Sequence, residues 1–131
     1  MNESVQKRGG TGGPFQGVRV VEIGSIGPGP FAAMVISDMG AEVVKVDPAA
    51  MVNAEIPDGP LNIPDKSMPL FRGRKAIGVD LKSEAGIATL LRMVEEADVL
   101  LEGFRPGVME RLGLGPDECL QRNPGLIYGR V

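Results

Sequence analysis

The feature that most constrains this chain is a short β-branched run broken abruptly by glycine and proline. Residues 18–24 (VRVVEIG) give way to 24–30 (GSIGPGP), and an apolar pattern of helical spacing follows at Phe31, Met34, Val35 and Met39. Gly40 supplies the stop, and residues 42–47 (EVVKVD) form a second β-branched run. A short apolar run bounded by turn residues reads as a buried strand, and Pro30 suits the first turn of a helix, where a missing N–H costs nothing. Strand, helix and strand within about 30 residues make a βαβ unit, which requires a parallel pair joined by a right-handed crossover.

The same alternation continues downstream. Residues 75–81 (KAIGVDL) read as extended, Ser83 as a helix cap, and Ile87, Leu90, Leu91 and Val94 as one helical face. Residues 98–103 (DVLLEG) form another strand. Short helices are expected over 106–112 and 116–122, each starting on proline, and 126–131 (LIYGRV) begins a further strand. Prolines 48, 57, 60, 64 and 69 exclude long helices and central strands from 48–74, which reads as a long covering loop. The Gly-rich, polar segment 1–16 is expected to be a flexible tail, with structure starting near Gly17. No internal repeat is visible. The fold class is therefore α/β, a Rossmann-like parallel sheet with flanking helices. The chain stops on a strand with no polar tail behind it, as a domain truncated after a strand would.

Composition removes several function classes. The 131 residues contain no histidine, which excludes Ser-His and Cys-His dyads and histidine-ligated zinc within them. The single cysteine, Cys119, cannot form an internal disulfide and has no histidine to activate it. A net charge of −3, with four Phe, one Tyr and no Trp, offers neither a basic footprint nor a stacking platform for nucleic acid. No apolar run approaches the roughly 18 residues needed to span a bilayer. The N-terminus lacks the apolar stretch of a secretory signal, and no targeting motif is visible, so a cytoplasmic location is expected. No catalytic residue and no metal-ligand set emerges from spacing alone. The seven methionines read as core filler.

Two segments carry candidate chemistry. Gly24, Gly27 and Gly29 precede a helix and Asp47 closes the second strand, a layout similar to a dinucleotide-binding turn. The spacing is G-x-x-G-x-G, however, and Pro28 and Pro30 lack the N–H groups a pyrophosphate needs, so a rigid turn is the better reading. The stretch 65–82 holds Lys66, Arg72, Arg74, Lys75 and Lys82 against only Asp65 and Asp80. Arg105 and Arg111 follow the strand that ends at Gly103, where the ligand crevice of a doubly wound sheet opens. Guanidinium forks suit phosphate, so these residues together suggest a local site for an anionic ligand. Glu22, Asp38, Asp47, Asp80, Asp98 and Glu102 are candidate bases at element ends, but spacing does not bring any two together.

The segments GPGPFAAM, DLKS and LLEGFRPGVMERLGLGP, in this order and with NPGLIYGRV after them, closely resemble the N-terminal part of the family III CoA-transferases of the CaiB/BaiF type. Within them the chain looks most like the α-methylacyl-CoA racemases, over about Gly17 to Val131. The resemblance implies the N-terminal part of a large Rossmann-like CoA-binding domain in a much longer chain, two copies of which interlock as a homodimer. It implies coenzyme A or its acyl thioester as the ligand, with no separate cofactor. By similarity Val79, Lys82, Gly103, Arg105 and Arg111 match CoA-contacting positions. Lys82 and the arginines would bind phosphates and the adenosine end, and the backbone near Val79 and Gly103 the adenine edge. Racemases commonly carry arginine directly after the aspartate that closes the second strand; here Pro48 follows Asp47. The family's catalytic groups are a histidine–aspartate pair in the racemases and a nucleophilic aspartate in the transferases. Both lie beyond the matched region, so the chain is expected to be inactive alone. Alternatives are a transferase moving CoA between carboxylic acids, and a truncated remnant without enzymatic activity.

Overall fold

The computed structural model describes residues 12–52 and 69–131. Five strands form one parallel sheet: β1 (Arg19–Ile23), β2 (Glu42–Pro48), β3 (Arg74–Val79), β4 (Val99–Glu102) and β5 (Ile127–Arg130). Their order is β3-β2-β1-β4-β5. The order reverses beside β1, and the carboxyl ends of β1 and β4 are where sheets of this kind generally place a ligand. The helices are α1 (Pro28–Asp38), α2 (Ala49–Val52), α3 (Glu84–Glu95), α4 (Val108–Arg111) and α5 (Pro116–Arg122), with a 3₁₀ turn at Pro69–Phe71.

The two sheet faces are unequal. On one, Val21, Ile23, Val46, Val79 and Leu100 pack with Leu90 and Val94 of α3, Met109 of α4 and Cys119 of α5. On the other, Val20, Val43 and Leu101 meet Ala33 of α1. The α3 reading holds: Leu90 and Val94 are fully buried, and the Ser83 hydroxyl accepts the Gly86 N–H at 3.0 Å.

Helix α1 departs from expectation. It starts at Pro28, two residues before Pro30, and its buried residues are Gly29, Pro30 and Ala33. Phe31 is 57% exposed and Met39 40%. Small residues let the helix lie close to the sheet, which leaves Phe31 and Met39 of the anticipated face outside and Met34 and Val35 half-buried. The methionines accordingly divide: Met109 is core, while Met39 and Met51 are exposed.

Other boundaries shift as well. Of the anticipated tail, 1–11 lie outside the described residues. Residues 14–17 form a turn, and the Phe15 N–H donates to Met39 O at 3.0 Å. Within the anticipated 48–74 loop, β2 runs through Pro48 and β3 begins at Arg74. Residues 53–68 lie outside the described residues. Helix α4 is shorter than 106–112, because Gly107 at φ 84° forms its N-cap and leaves Pro106 in the preceding turn.

Arg74 is the largest surprise. It belongs to the strand, and its side chain is 2% exposed in an ion pair with Glu22, itself 1% exposed. Arg74 also donates to Leu70 O and lies over the Phe71 ring, 5.1 Å from the centroid. Lys45 sits over the same ring at 4.3 Å and pairs with Asp47 at 3.1 Å. Burial lifts the Glu22 carboxyl above its usual range, against the pull of Arg74 and Lys45. Removing one partner of such a pair strands the other charge, whereas replacing both with apolar residues does not. Arg74→Met is therefore expected to cost about 3–5 kcal/mol in urea unfolding. Adding Glu22→Leu should recover most of that loss. A single-variant cost below about 1 kcal/mol would show that the pair does not hold the sheet.

At the surface, Arg72 holds the Asp38 carboxyl below its usual value of 3.8. A lowered carboxylate contributes stability above its unfolded pKa and loses it as pH falls through the folded value. The stability difference between the parent chain and Asp38→Asn should thus be flat near neutrality and shrink below about pH 4. A pH-independent difference in acid titrations of the two proteins would show the contact to be electrostatically silent.

Candidate functional site

The loops at the carboxyl edge of the sheet bring the anticipated residues to one rim. After β3, Asp80 organises a tight turn. Its Oδ1 accepts the Lys82 N–H at 2.9 Å, and its carbonyl accepts the Ser83 hydroxyl at 2.9 Å. This turn starts α3 and leaves the Lys82 side chain exposed. Val79 is 7% exposed with its side chain in the core, so only its main chain can face a ligand.

After β4 the chain runs Gly103, Phe104, Arg105, Pro106, Gly107 into α4. The Glu102 carboxylate accepts the Phe104 N–H at 2.8 Å, and Arg105 O accepts the Val108 N–H at 3.2 Å. The Arg111 guanidinium folds back beside Gly107, where a β-carbon would lie 3.2 Å from its Nη1. Arg105 and Arg111 are both exposed.

Among the described residues, Lys82, Arg92, Arg105 and Arg111 are the basic side chains without an acidic partner. Three of those four stand on the β3 and β4 loops. The wider basic stretch read from 65–82 does not form one patch. Arg72 pairs with Asp38, Arg74 is buried on Glu22, and Lys75 pairs with Glu42 at 3.2 Å. Lys66 lies outside the described residues. Alternation along β3 sends Arg74 and Lys75 to opposite faces, and among the described residues of this stretch Lys82 is the cation without an acidic partner.

The six candidate bases are all engaged. Glu22 holds Arg74, Asp38 holds Arg72, and Asp47 holds Lys45. Asp80 accepts the Lys82 N–H, Asp98 accepts the Arg19 N–H at 2.8 Å, and Glu102 accepts the Phe104 N–H. Burial pushes the Cys119 thiol up to about 11, so it stays protonated and inert near neutrality. Among the described residues no cluster of His, Cys, Asp and Glu could hold a metal ion, and no helix is long and apolar enough to cross a membrane.

One feature of the rim escaped the sequence. The Ser25 hydroxyl, in the β1–α1 loop, is buried without a hydrogen-bond partner among the described residues. It packs between two glycines: a β-carbon on Gly29 would stand 2.5 Å from its oxygen, and one on Gly103 2.9 Å. The β1 and β4 loops thus touch through Ser25 and Gly103. The only sequence signal was the glycine-rich context of both loops, which shows that close approach is allowed without showing what approaches.

A model of CoA-transferase family III matches residues 15–131. The chain belongs to CoA-transferase family III. It is 46% identical over 117 residues to the alpha-methylacyl-CoA racemase of Mus musculus, covering 89% of this chain and 27% of that protein. It is 40% identical over 119 residues to the acetyl-CoA:oxalate CoA-transferase of Acetobacter aceti, covering 88% of this chain and 30% of that protein. The orthorhombic crystal structure of Rv3272 from Mycobacterium tuberculosis superposes with a TM-score of 0.75 at 40% identity, over 91% of this chain and 34% of that one. The chain thus spans about a third or less of the length of these family III relatives, and the rim just described lies within the matched residues 15–131.

The Ser25–Gly103 contact gives a direct test of the rim's packing. Gly103→Ala should force the two loops apart and cost about 1–3 kcal/mol, as overpacking generally does. Adding Ser25→Gly should recover most of it in the same denaturant titration. An unaltered midpoint for Gly103→Ala would show that the loops do not meet this closely.

Proposed function

We propose that this chain supplies the CoA-binding wall of an acyl-CoA enzyme of family III, with the α-methylacyl-CoA racemases as the leading assignment. The observation that carries the reading is the trio of cations without ion-pair partners among the described residues, Lys82, Arg105 and Arg111, in the segments that follow β3 and β4 at one edge of the sheet. The β3 and β4 loops are three strand spacings apart, about 14 Å. A single small phosphate would not reach both, whereas an extended nucleotide bearing several phosphates would. In this reading Lys82, Arg105 and Arg111 take the phosphates, and the main chain at Val79 and Gly103 faces the adenine. Pro48, standing where the racemases carry arginine, removes one phosphate partner and leaves more of the load on these three.

Binding the nucleotide is half of the chemistry. A thioester α-carbon is weakly acidic, so racemisation needs groups that remove and return its proton and donors that stabilise the enolate. A nucleotide anchor far from the reacting carbon holds the acyl group for those groups. The 131 residues contain no histidine, and their candidate carboxylates are engaged elsewhere, so the chain alone is expected to give no α-proton exchange. The transferase reading keeps the same wall and replaces proton transfer with a nucleophilic aspartate; identity to the oxalate transferase keeps it in play. A homodimer belongs to this proposal too, resting on the family resemblance and on apolar residues left outside at Ile26, Phe31 and Ile127.

Calorimetric titration with acetyl-CoA, with NAD as control, tests the wall. Saturable acetyl-CoA binding should weaken about tenfold in Arg105→Ala and in Lys82→Ala, as loss of a charge-assisted hydrogen bond implies. It should also fall as salt rises. Binding of NAD in preference to acetyl-CoA would sink the assignment. Binding of neither by a cooperatively folded chain would leave the non-enzymatic remnant as the surviving reading.

A further inference from the structure

We propose that Arg130, on β5, is a positioning residue for the anion-binding loop, fixing segment 103–111 by tying Glu102 to Glu110. The inference rests on the CoA reading for its ligand, while its geometry stands apart from it.

Glu102 ends β4 at the root of the segment and is 4% exposed. One carboxylate oxygen accepts the Phe104 N–H at 2.8 Å, and the other lies 3.1 Å from Arg130 Nε. The Arg130 guanidinium also donates, through Nη2, to the Glu110 carboxylate on α4. Two residues earlier on the same face of β5, the Tyr128 hydroxyl donates to Leu114 O at 2.9 Å. The Tyr128 ring lies 5.5 Å from the Arg130 guanidinium carbon. β5 therefore grips the segment at its root, on α4 and just beyond α4. Arg105 and Arg111 have no partners of their own among the described residues, so nothing in their side chains holds them.

Arginine suits this place. Its planar fork presents separate N–H groups to two carboxylates, which the single ammonium of lysine cannot do in the same geometry. Without a cation, Glu102 would be a buried carboxylate with only one hydrogen bond, and the Phe104 turn would lose its rigid acceptor. Arg130 is 42% exposed on its side chain, so solvent moderates the effect.

Two explanations of an Arg130 effect differ in sign at Glu110. If Arg130 acts only by its field, removing the Glu110 carboxylate makes the rim more positive and tightens CoA. If it acts by tethering the loop, Glu110→Ala releases α4 and weakens CoA. We expect Glu110→Ala to weaken acetyl-CoA about threefold and Arg130→Met about tenfold, with Arg130→Lys recovering part of the loss. Changes made through a shared loop are non-additive, so Arg130→Met should add less than about threefold in an Arg111→Ala background. The Phe104 amide resonance should move in ligand-free Arg130→Met, because its acceptor is no longer held.

Tighter binding in Glu110→Ala, an undiminished loss in the Arg111→Ala background, or an unmoved Phe104 amide would each overturn the proposal. Should Arg130→Met fail to fold, Arg130→Lys decides between tether and field: it keeps the charge and loses the fork, so acetyl-CoA binding undiminished in Arg130→Lys would overturn the tether. Should the parent chain fail to bind acetyl-CoA, the CoA reading falls, and the Phe104 amide decides the tether without it.

Discussion

The buried pair of Glu22 and Arg74 is the interaction on which the rest of this sheet depends. Glu22 lies on the central strand and Arg74 on the edge strand, with β2 between them. Arg74 stands opposite Val43 in the β2–β3 register, on the α1 face with Lys45 and Asp47. A slip of one residue would send the guanidinium to the opposite, apolar face. The pair thus selects the register of an edge strand that would otherwise be weakly specified. It does so from an imperfect environment, since Glu22 Oε1 and Arg74 Nε lack hydrogen-bond partners among the described residues. A partly satisfied buried network is a poor source of net stability and a strong penalty against alternatives. Register matters here because β3 leads into the Asp80–Ser83 turn. The placement of Lys82 is inherited from a contact made at the other end of the strand.

Close packing of α1 depends on the same corner. Ser37 donates to Gly73 O at 3.0 Å, and Asp38 pairs with Arg72. These contacts bring the end of α1 to the start of β3, while Gly29 and Ala33 lie against the sheet. The helix is held at its end by polar contacts and along its length by small residues.

What was legible in the sequence follows from which physics each segment obeys. β1 and β2 are short β-branched runs bounded by turn residues, and such runs have few other ways to bury themselves. α3 carries its own cap and an unbroken apolar stripe, and both appear in the structure. The inner face of α1 was misread because apolar periodicity marks the largest side chains, whereas close approach selects the smallest. Arg74 was misread for a related reason. A charged residue beside others in a proline-rich stretch looks solvated, and only the tertiary fold supplies the carboxylate that takes it inside. The Arg130 bridge was invisible on the same account, since its partners come from β4 and α4. Where loops follow strands, the exposed placement of Lys82, Arg105 and Arg111 was legible. Placement was not legible where strands carry side chains to one another.

The disposition of charge gives the site its electrostatic meaning. At the amino edge of the sheet the cations are answered: Arg19 by Glu96, Lys75 by Glu42, Arg122 by Glu95. Arg92, in the last turn of α3, is the unpaired exception, and it faces the negative end of that helix dipole. At the carboxyl edge Lys82, Arg105 and Arg111 form no ion pair among the described residues. The one other cation of that region, Arg130, is spent on Glu102 and Glu110. A chain of net charge −3 therefore concentrates uncompensated positive charge along one edge. Surface cations held in ion pairs contribute little field to a passing anion, while unpaired ones keep theirs within a Debye length. Arg130 has a second consequence in this arrangement. By pairing with Glu102 and Glu110, it engages the carboxylates that stand next to Gly103 and Arg111 in the chain. A carboxylate whose charge is already answered offsets less of the field of the loop's cations.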